Sequence, residues 1–226
     1  MSHSRMALLT LAAVAFVCCC PAITQAGAVQ LTSAGQLNPS DTTVTYPLTG
    51  VVVTSPGGLD PAVGVPNPLV LSAGGNTLTF SKPSGLFVTN SFFGPDTLYT
   101  GNAYQQGSGP ITIDFATGVT EAGFLAIPNF SGPPGFAFTL TAFNGAAVLG
   151  TFSVDTSGAF NGVFLGVRAT GGDVITRLVV NHTIPDFAIG PVTFGTAQAV
   201  PEPATLLLLS TGLAGVGAMA RKRRKG

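Results

Sequence analysis

Charge, tryptophan and usable cysteine are all scarce in this 226-residue chain. Only 8% of the residues are charged, and there are three tyrosines, two histidines and no tryptophan. The three cysteines are adjacent, Cys18, Cys19 and Cys20, in a segment that reads as removable, so the mature chain is expected to have no thiol nucleophile, disulfide or cysteine metal ligand. The formal charge of zero hides an asymmetry. Five of the nine basic residues crowd into Arg221, Lys222, Arg223, Arg224 and Lys225. Across residues 27–200, Lys82, Arg168 and Arg177 stand against Asp41, Asp60, Asp96, Asp114, Glu121, Asp155, Asp173 and Asp186, a net charge of −5. A body of that sign repels phosphate backbones, which excludes nucleic acid as a partner.

Hydrophobic residues make up 46% of the chain, enough for one domain with a full core plus segments that never join it. Both ends read as such segments. Arg5 precedes an uncharged apolar run from Met6 to Val17, followed by Pro21 and small-residue cleavage sites ending at Ala26 or Ala28. This is the layout of a secretory signal peptide over residues 1–26, and its apolar run is shorter than the roughly 20 residues that span a bilayer. The mature chain is expected to begin at Gly27 or Val29. Lipid attachment at Cys18 fits badly, because Val17 stands where a small residue is needed.

The other end reads Pro201-Glu202-Pro203, then Ala204 to Ala220 without a charge, then the basic cluster and Gly226. The uncharged run is at the lower limit for a transmembrane helix, and flanking Arg and Lys lengthen it by reaching the headgroups. The basic cluster stays cytoplasmic by the positive-inside rule, which leaves the body outside the inner membrane. Ser210, Ala214 and Ala218 recur at four-residue spacing, as small residues commonly do in short anchors. The two prolines keep Glu202 in an extended segment that cannot join a helix or sheet.

This order of Pro-Glu-Pro, short leucine-rich helix and terminal basic cluster resembles the PEP-CTERM sorting signal over Val200 to Gly226. The resemblance implies recognition by exosortase, a membrane-embedded cysteine protease-like enzyme of bacteria that make exopolysaccharide. Pro201, Glu202 and Pro203 would be the recognition residues, Ala204 to Ala220 the retention helix, and Arg221 to Lys225 the stop-transfer cluster. The protein would then be inner-membrane-anchored on the periplasmic side and later reach the cell surface or medium. Similar tails also occur on proteins labelled ice-binding, an activity the tail itself cannot confer.

Between the two ends, residues 27–199 carry glycine or proline every few positions, with short Val-, Ile-, Thr- and Phe-rich runs between them. Ile111-Thr112-Ile113-Asp114-Phe115 alternates strictly, one face for the core and one for water. Phe136, Phe138, Leu140 and Ala142 repeat the period, and Asn144-Gly145 offers a hairpin turn into Ala147 to Val154. Further strands are expected at 51–54, 76–80, 86–89, 121–127, 163–167, 174–180 and 188–194. About ten strands without helical crossovers predict an all-β fold, an antiparallel β-sandwich of jelly-roll type. Residues 109–195 resemble the jelly-roll ectodomains found ahead of such tails. Residues 27–108, rich in proline, are expected to be a long loop region or an irregular edge.

Few residues in the body can carry chemistry. His182 is the one histidine left after signal removal, it follows a strand-like run, and no nucleophile elbow accompanies it. Asp114, Glu121, Asp155, Asp173 and Asp186 are spread thinly, as turn and strand-edge carboxylates are. Asp155-Thr156-Ser157-Gly158 and Gly171-Gly172-Asp173 could offer oxygen ligands to Ca2+, although neither completes a calcium loop. Tyr99 and Tyr104 flank a polar segment and are the candidate saccharide contacts. The sequence therefore points to a structural or adhesive exported protein associated with exopolysaccharide, with no enzyme activity and no resident cofactor. A carbohydrate- or ice-binding module is the alternative, and a secreted hydrolase the third choice.

Overall fold

The strands follow from alternation of apolar with hydroxyl-bearing or charged residues, and their pairing decides the architecture. The computed structural model describes residues 27–47, 51–53, 62–89, 97–101, 107–129, 136–156 and 162–196. Ala26, Tyr104 and the sorting tail with its membrane run lie outside these residues.

Fifteen strands run in chain order as β1 (Gly27–Leu31), β2 (Thr42–Val44), β3 (Val51–Val53), β4 (Ala62–Val65), β5 (Leu69–Ala73), β6 (Asn76–Ser81), β7 (Leu86–Thr89), β8 (Thr97–Tyr99), β9 (Ile111–Pro128), β10 (Ala137–Asn144), β11 (Ala147–Asp155), β12 (Val163–Thr170), β13 (Ile175–His182), β14 (Phe187–Ile189) and β15 (Val192–Thr196). The one described helix is a 3-10 turn, Ala34–Gln36. Every strand pairing is antiparallel, as expected of an all-β chain without crossover helices.

Strand β9 organises the rest. Its first half, from Ile111 to Phe115, lies between β6 and β13. Its second half, from Val119 to Pro128, lies between β12 on one side and β14 and β15 on the other. One long strand thus belongs to two layers, β5-β6-β9-β13-β10-β11 and β1-β12-β9-β15-β2, the second continued through β14 into β8, β7, β4 and β3. The pairing slips between Asp114 and Val119 against β13, and again at Thr120 against β15. Each slip inserts unpaired residues into β9, which bends the strand and changes which residues face inward. Before the bend the buried positions are Ile111, Ile113 and Phe115; beyond it they include Ala122, Phe124 and Ala126.

The two layers share one core. Phe115 of one layer meets Phe194 of the other with ring centroids 5.9 Å apart. Phe138 meets Phe187 edge-on at 5.4 Å, and Phe80 meets Tyr46 in the same way at 5.4 Å. Such pairs add about 0.5–1.5 kcal/mol to the area they bury, and each fully buried Leu, Ile or Phe contributes about 1.5–3 kcal/mol.

Residues 27–108 are more regular than expected. They contain β1, β2 and β4 to β8, and β5 and β6 form a hairpin through Gly74 and Gly75, both at positive φ. The expected hairpin between β10 and β11 is present, with Asn144 opposite Ala147 and Gly145 at φ 58. The run expected at 188–194 is broken into β14 and β15, because Pro191 has no N–H to give the ladder.

Candidate functional site

The outward positions of the β6-β9-β13-β10 layer carry mainly hydroxyl groups. Register places Ser81 opposite Thr112, Thr112 opposite Val179, Val179 opposite Thr141, and Thr141 opposite Thr151. This lateral row crosses five strands, or roughly 19 Å at the usual strand spacing of about 4.8 Å. Thr139 and Ser153, opposite each other, and Asn181, opposite Thr139, add a second row. Thr77 and Ser72 add a third hydroxyl pair at 3.0 Å. The Thr141 and Thr151 hydroxyls are 3.3 Å apart. Among the described residues the face carries the ion pair Arg177 Nε to Asp114 Oδ1 at 2.5 Å, and Asp155 ends its β11 edge. Threonine suits a half-exposed strand face on propensity grounds alone; what inter-strand register adds is the alignment of four hydroxyls over five strands, with Val179 between Thr112 and Thr141.

Tyr99 is not a surface contact. It is 7% exposed, and its hydroxyl donates to Asp186 Oδ1 at 2.7 Å and accepts from Asn129 Nδ2 at 2.7 Å. Burial, then the hydrogen bond and charge of Asp186, push its phenol well above the ordinary range. Asn129 Nδ2 also donates to Asp186 Oδ2 at 3.1 Å. Beside this cluster the Thr100 hydroxyl donates to Phe187 O at 2.8 Å, and Lys82 Nζ donates to Gly85 O at 2.8 Å and to Thr100 O. Burial lowers the Lys82 pKa against the opposing charge of Asp186. The cluster pins β8 to β14 beside the packing of Tyr99 with Ile127 and Ala188, and burial closes the Tyr99 ring to a sugar.

His182 is 3% exposed. Its Nδ1 lies 2.8 Å from Ile184 O, its Nε2 lies 3.2 Å from Thr156 Oγ1, and its ring sits 4.4 Å from that of Phe138. Burial holds its pKa below the usual value, so it is a neutral core imidazole at pH 7.

The five carboxylates singled out by sequence separate. Asp114 pairs with Arg177 on the hydroxyl face, and Asp186 joins Tyr99. Asp155 ends β11 at the surface. Asp173 accepts from Gly27 N at 2.9 Å and Asn144 Nδ2 at 3.2 Å. Glu121 is bound by Arg168, with Nη2 at 2.6 Å and Nε at 2.7 Å from Oε2. Of the two calcium candidates, Ser157 and Gly158 lie outside the described residues. Among the described residues no three of His, Cys, Asp or Glu gather.

One carboxylate pair does form, and sequence reading missed it. Asp41, far from any motif, meets Glu121 over Gly195, where a Cβ would stand 2.6 Å from Asp41 Oδ1 and 3.1 Å from Glu121 Cγ. Burial, followed by the charge and hydrogen bond of Glu121, raises the Asp41 pKa to about 6. Asp41 Oδ2 is buried without a described hydrogen-bond partner. The only hint in the sequence was Gly195, whose missing side chain makes room for both acids.

The described residues contain no helix long and apolar enough to cross a membrane. A family model for the PEP-CTERM protein-sorting motif matches residues 199–224, which covers Pro201, Glu202, Pro203 and most of the basic cluster. A search of curated proteins finds none that matches the chain. The chain carries this sorting motif, which marks an exported protein processed at its C-terminus by exosortase, a membrane enzyme.

Proposed function

We propose that this chain is a structural or adhesive component of the cell surface or extracellular matrix, held at the inner membrane by its tail until exosortase acts, and then associated with exopolysaccharide. The observation that carries the reading is the sorting motif at residues 199–224. Pro201, Glu202 and Pro203 are the recognition segment, Ala204 to Ala220 the retention helix that crosses the inner membrane with the body on its periplasmic side, and Arg221 to Lys225 the cytoplasmic stop. The body, a stable antiparallel domain, is the cargo. Its work is binding rather than catalysis: His182 is buried as a core residue, and Glu121 is tied to Arg168.

The hydroxyl row Ser81-Thr112-Thr141-Thr151 supports polysaccharide as the partner. Sugar hydroxyls and Thr or Ser hydroxyls can each donate and accept, and a repeated spacing matches a repeated polymer better than a single small ligand. The same row favours a second reading, an ice- or water-ordering surface, since it sets the Val179 and threonine methyls beside hydroxyls at strand spacing.

The test is the full-length protein with an internal tag, expressed in an exosortase-bearing host with and without that enzyme. Loss of the tail and release from the membrane only with the enzyme is the expected result. An intact, membrane-bound product in both hosts would overturn the sorting role.

A further inference from the structure

We propose that Asp173 is a receptor for the amino terminus created by cleavage after Ala26. Gly27 N lies 2.9 Å from Asp173 Oδ2, in a chain whose two candidate cleavage sites leave either Gly27 or Val29 first. Hydrolysis of the Ala26–Gly27 bond by the peptidase of the export machinery breaks the C–N bond. The hydroxyl of water goes to the Ala26 carbonyl carbon and its proton to the Gly27 nitrogen, which takes up a further proton at neutral pH because an α-amino group titrates near pH 8. The neutral amide donor then becomes an ammonium facing a carboxylate at hydrogen-bond distance, and charge-assisted bonds of this kind are about twice as strong as neutral ones.

The receptor is built by several independent elements. Gly27 pairs with Thr170, the last residue of β12. The turn that follows uses Gly171 and Gly172 at φ 67 and 86, and closes with Asp173 N donating to Thr170 O at 3.1 Å. This brings the Asp173 side chain back to the start of β1. Asn144, at the end of β10, donates to Asp173 Oδ1 at 3.2 Å, which fixes the carboxylate with Oδ2 toward Gly27. Cleavage after Ala28 would discard Gly27 and Ala28, remove two residue pairs from β1, and leave Oδ2 without this donor. The geometry therefore selects Ala26, and it makes cleavage a stabilising event that fastens β1 to the body.

The inference goes beyond the sorting role and can fail separately from it, because it concerns the other end of the chain and reads stability. The full chain would be expressed in an exporting host and purified in detergent for intact mass and melting. A second version, with Ser-Ser inserted between Ala26 and Gly27, moves the ammonium away from Asp173. The expected mature mass begins at Gly27, and the native version melts about 2–4 °C above the Ser-Ser version, the shift that about 1 kcal/mol produces in a domain of this size. Asp173→Asn should abolish that gap, and 1 M NaCl should narrow it in the unsubstituted pair. The salt arm decides if the Asn variant does not fold. A mature chain starting at Val29, equal melting of the two versions, or a gap unchanged by Asp173→Asn and by salt would overturn the proposal.

Discussion

Asp186 takes the Tyr99 hydroxyl on Oδ1 at 2.7 Å and the Asn129 amide on Oδ2 at 3.1 Å, so a buried carboxylate is held by two donors from different parts of the second layer. Removing one donor leaves a buried acceptor short of a partner, which costs about 1–3 kcal/mol. Tyr99→Phe keeps the ring and should lower the calorimetric melting temperature by several degrees, at about 2–4 °C per kcal/mol, without altering binding to polysaccharide. A variant that melted normally but bound sugar more weakly would return Tyr99 to the role expected from sequence.

The Asp41 pair gives a pH dependence of defined sign. Burial and the Glu121 carboxylate push Asp41 up to about 6 in the fold, against the ordinary 3.8 of an aspartate. Between those values the folded chain holds more protons than the unfolded one, so stability is fully present below about pH 4 and declines as pH rises through 6. Asp41→Asn resembles the protonated acid. It should melt above the parent protein at pH 7.5 and converge with it near pH 4, as followed by thermal melts across that range. A variant destabilised equally at both pH values would mean that Asp41 is held by contacts other than the Glu121 carboxyl.

His182 works in the opposite direction. Burial lowers its pKa in the fold from 6.5, so the unfolded chain binds the proton first, and the stability contributed by the neutral ring is present above pH 6.5 and lost as pH falls. His182→Gln should reduce stability at pH 8, through lost packing against Phe138, yet flatten the decline between pH 6.5 and 5. Chemical denaturation at several pH values separates the two effects. A decline as steep as that of the parent would assign the acid limb to other groups.

Most of the strands were legible in the sequence because one face of each is buried and the other wet. Asn76 to Ser81 and Ile111 to Phe115 alternate without exception, and Leu86 to Thr89 was found at its exact ends. The continuation of β9 through the bend was not legible, because Ala116, Thr117 and Gly118 stand between the registers and only the pairing of the residues on either side to β6, β13, β12 and β15 carries the strand through. Short strands such as Thr42–Val44 carry too few residues to show a period. The hydroxyl row was half legible. Alternation puts Thr112, Thr139 and Thr141 outward, but their alignment depends on register between strands as far apart as Thr112 and Val179, which no local pattern encodes. Asp41 was invisible for the same reason, since its partner Glu121 lies 83 positions from its neighbour Asn38.

The tail offers a prediction independent of the fold. Replacing Pro201, Glu202 and Pro203 together by alanine removes the rigid recognition segment while leaving the helix and basic cluster unchanged. In an exosortase-bearing host the product should keep its full mass and stay in the membrane fraction, as the parent does without the enzyme. Normal processing would place recognition in the helix or the basic residues.

The hydroxyl face gives the sharpest test of the body. Thr141 and Thr151 stand opposite each other at the β10-β11 end of the row, with side chains turned away from the core. Substitutions at such surface positions usually change stability by less than about 0.5 kcal/mol, so loss of binding there can be read without loss of fold. Thr141→Glu with Thr151→Glu replaces two hydroxyls of the array with like charges directly opposite each other on the face. In a co-sedimentation assay with the producing strain's exopolysaccharide, the double variant should bind at least about tenfold more weakly, the loss expected from about 1.4 kcal/mol. A control change at Val29, an exposed residue of β1 on the second layer, should bind as the parent does when changed to threonine. If the glutamate pair lost ice-recrystallisation inhibition but bound polysaccharide normally, the face would order water rather than hold sugar. Unchanged behaviour in both assays would mean that the row is no more than threonine's preference for a wet strand, and the adhesive surface would have to be sought on the other layer.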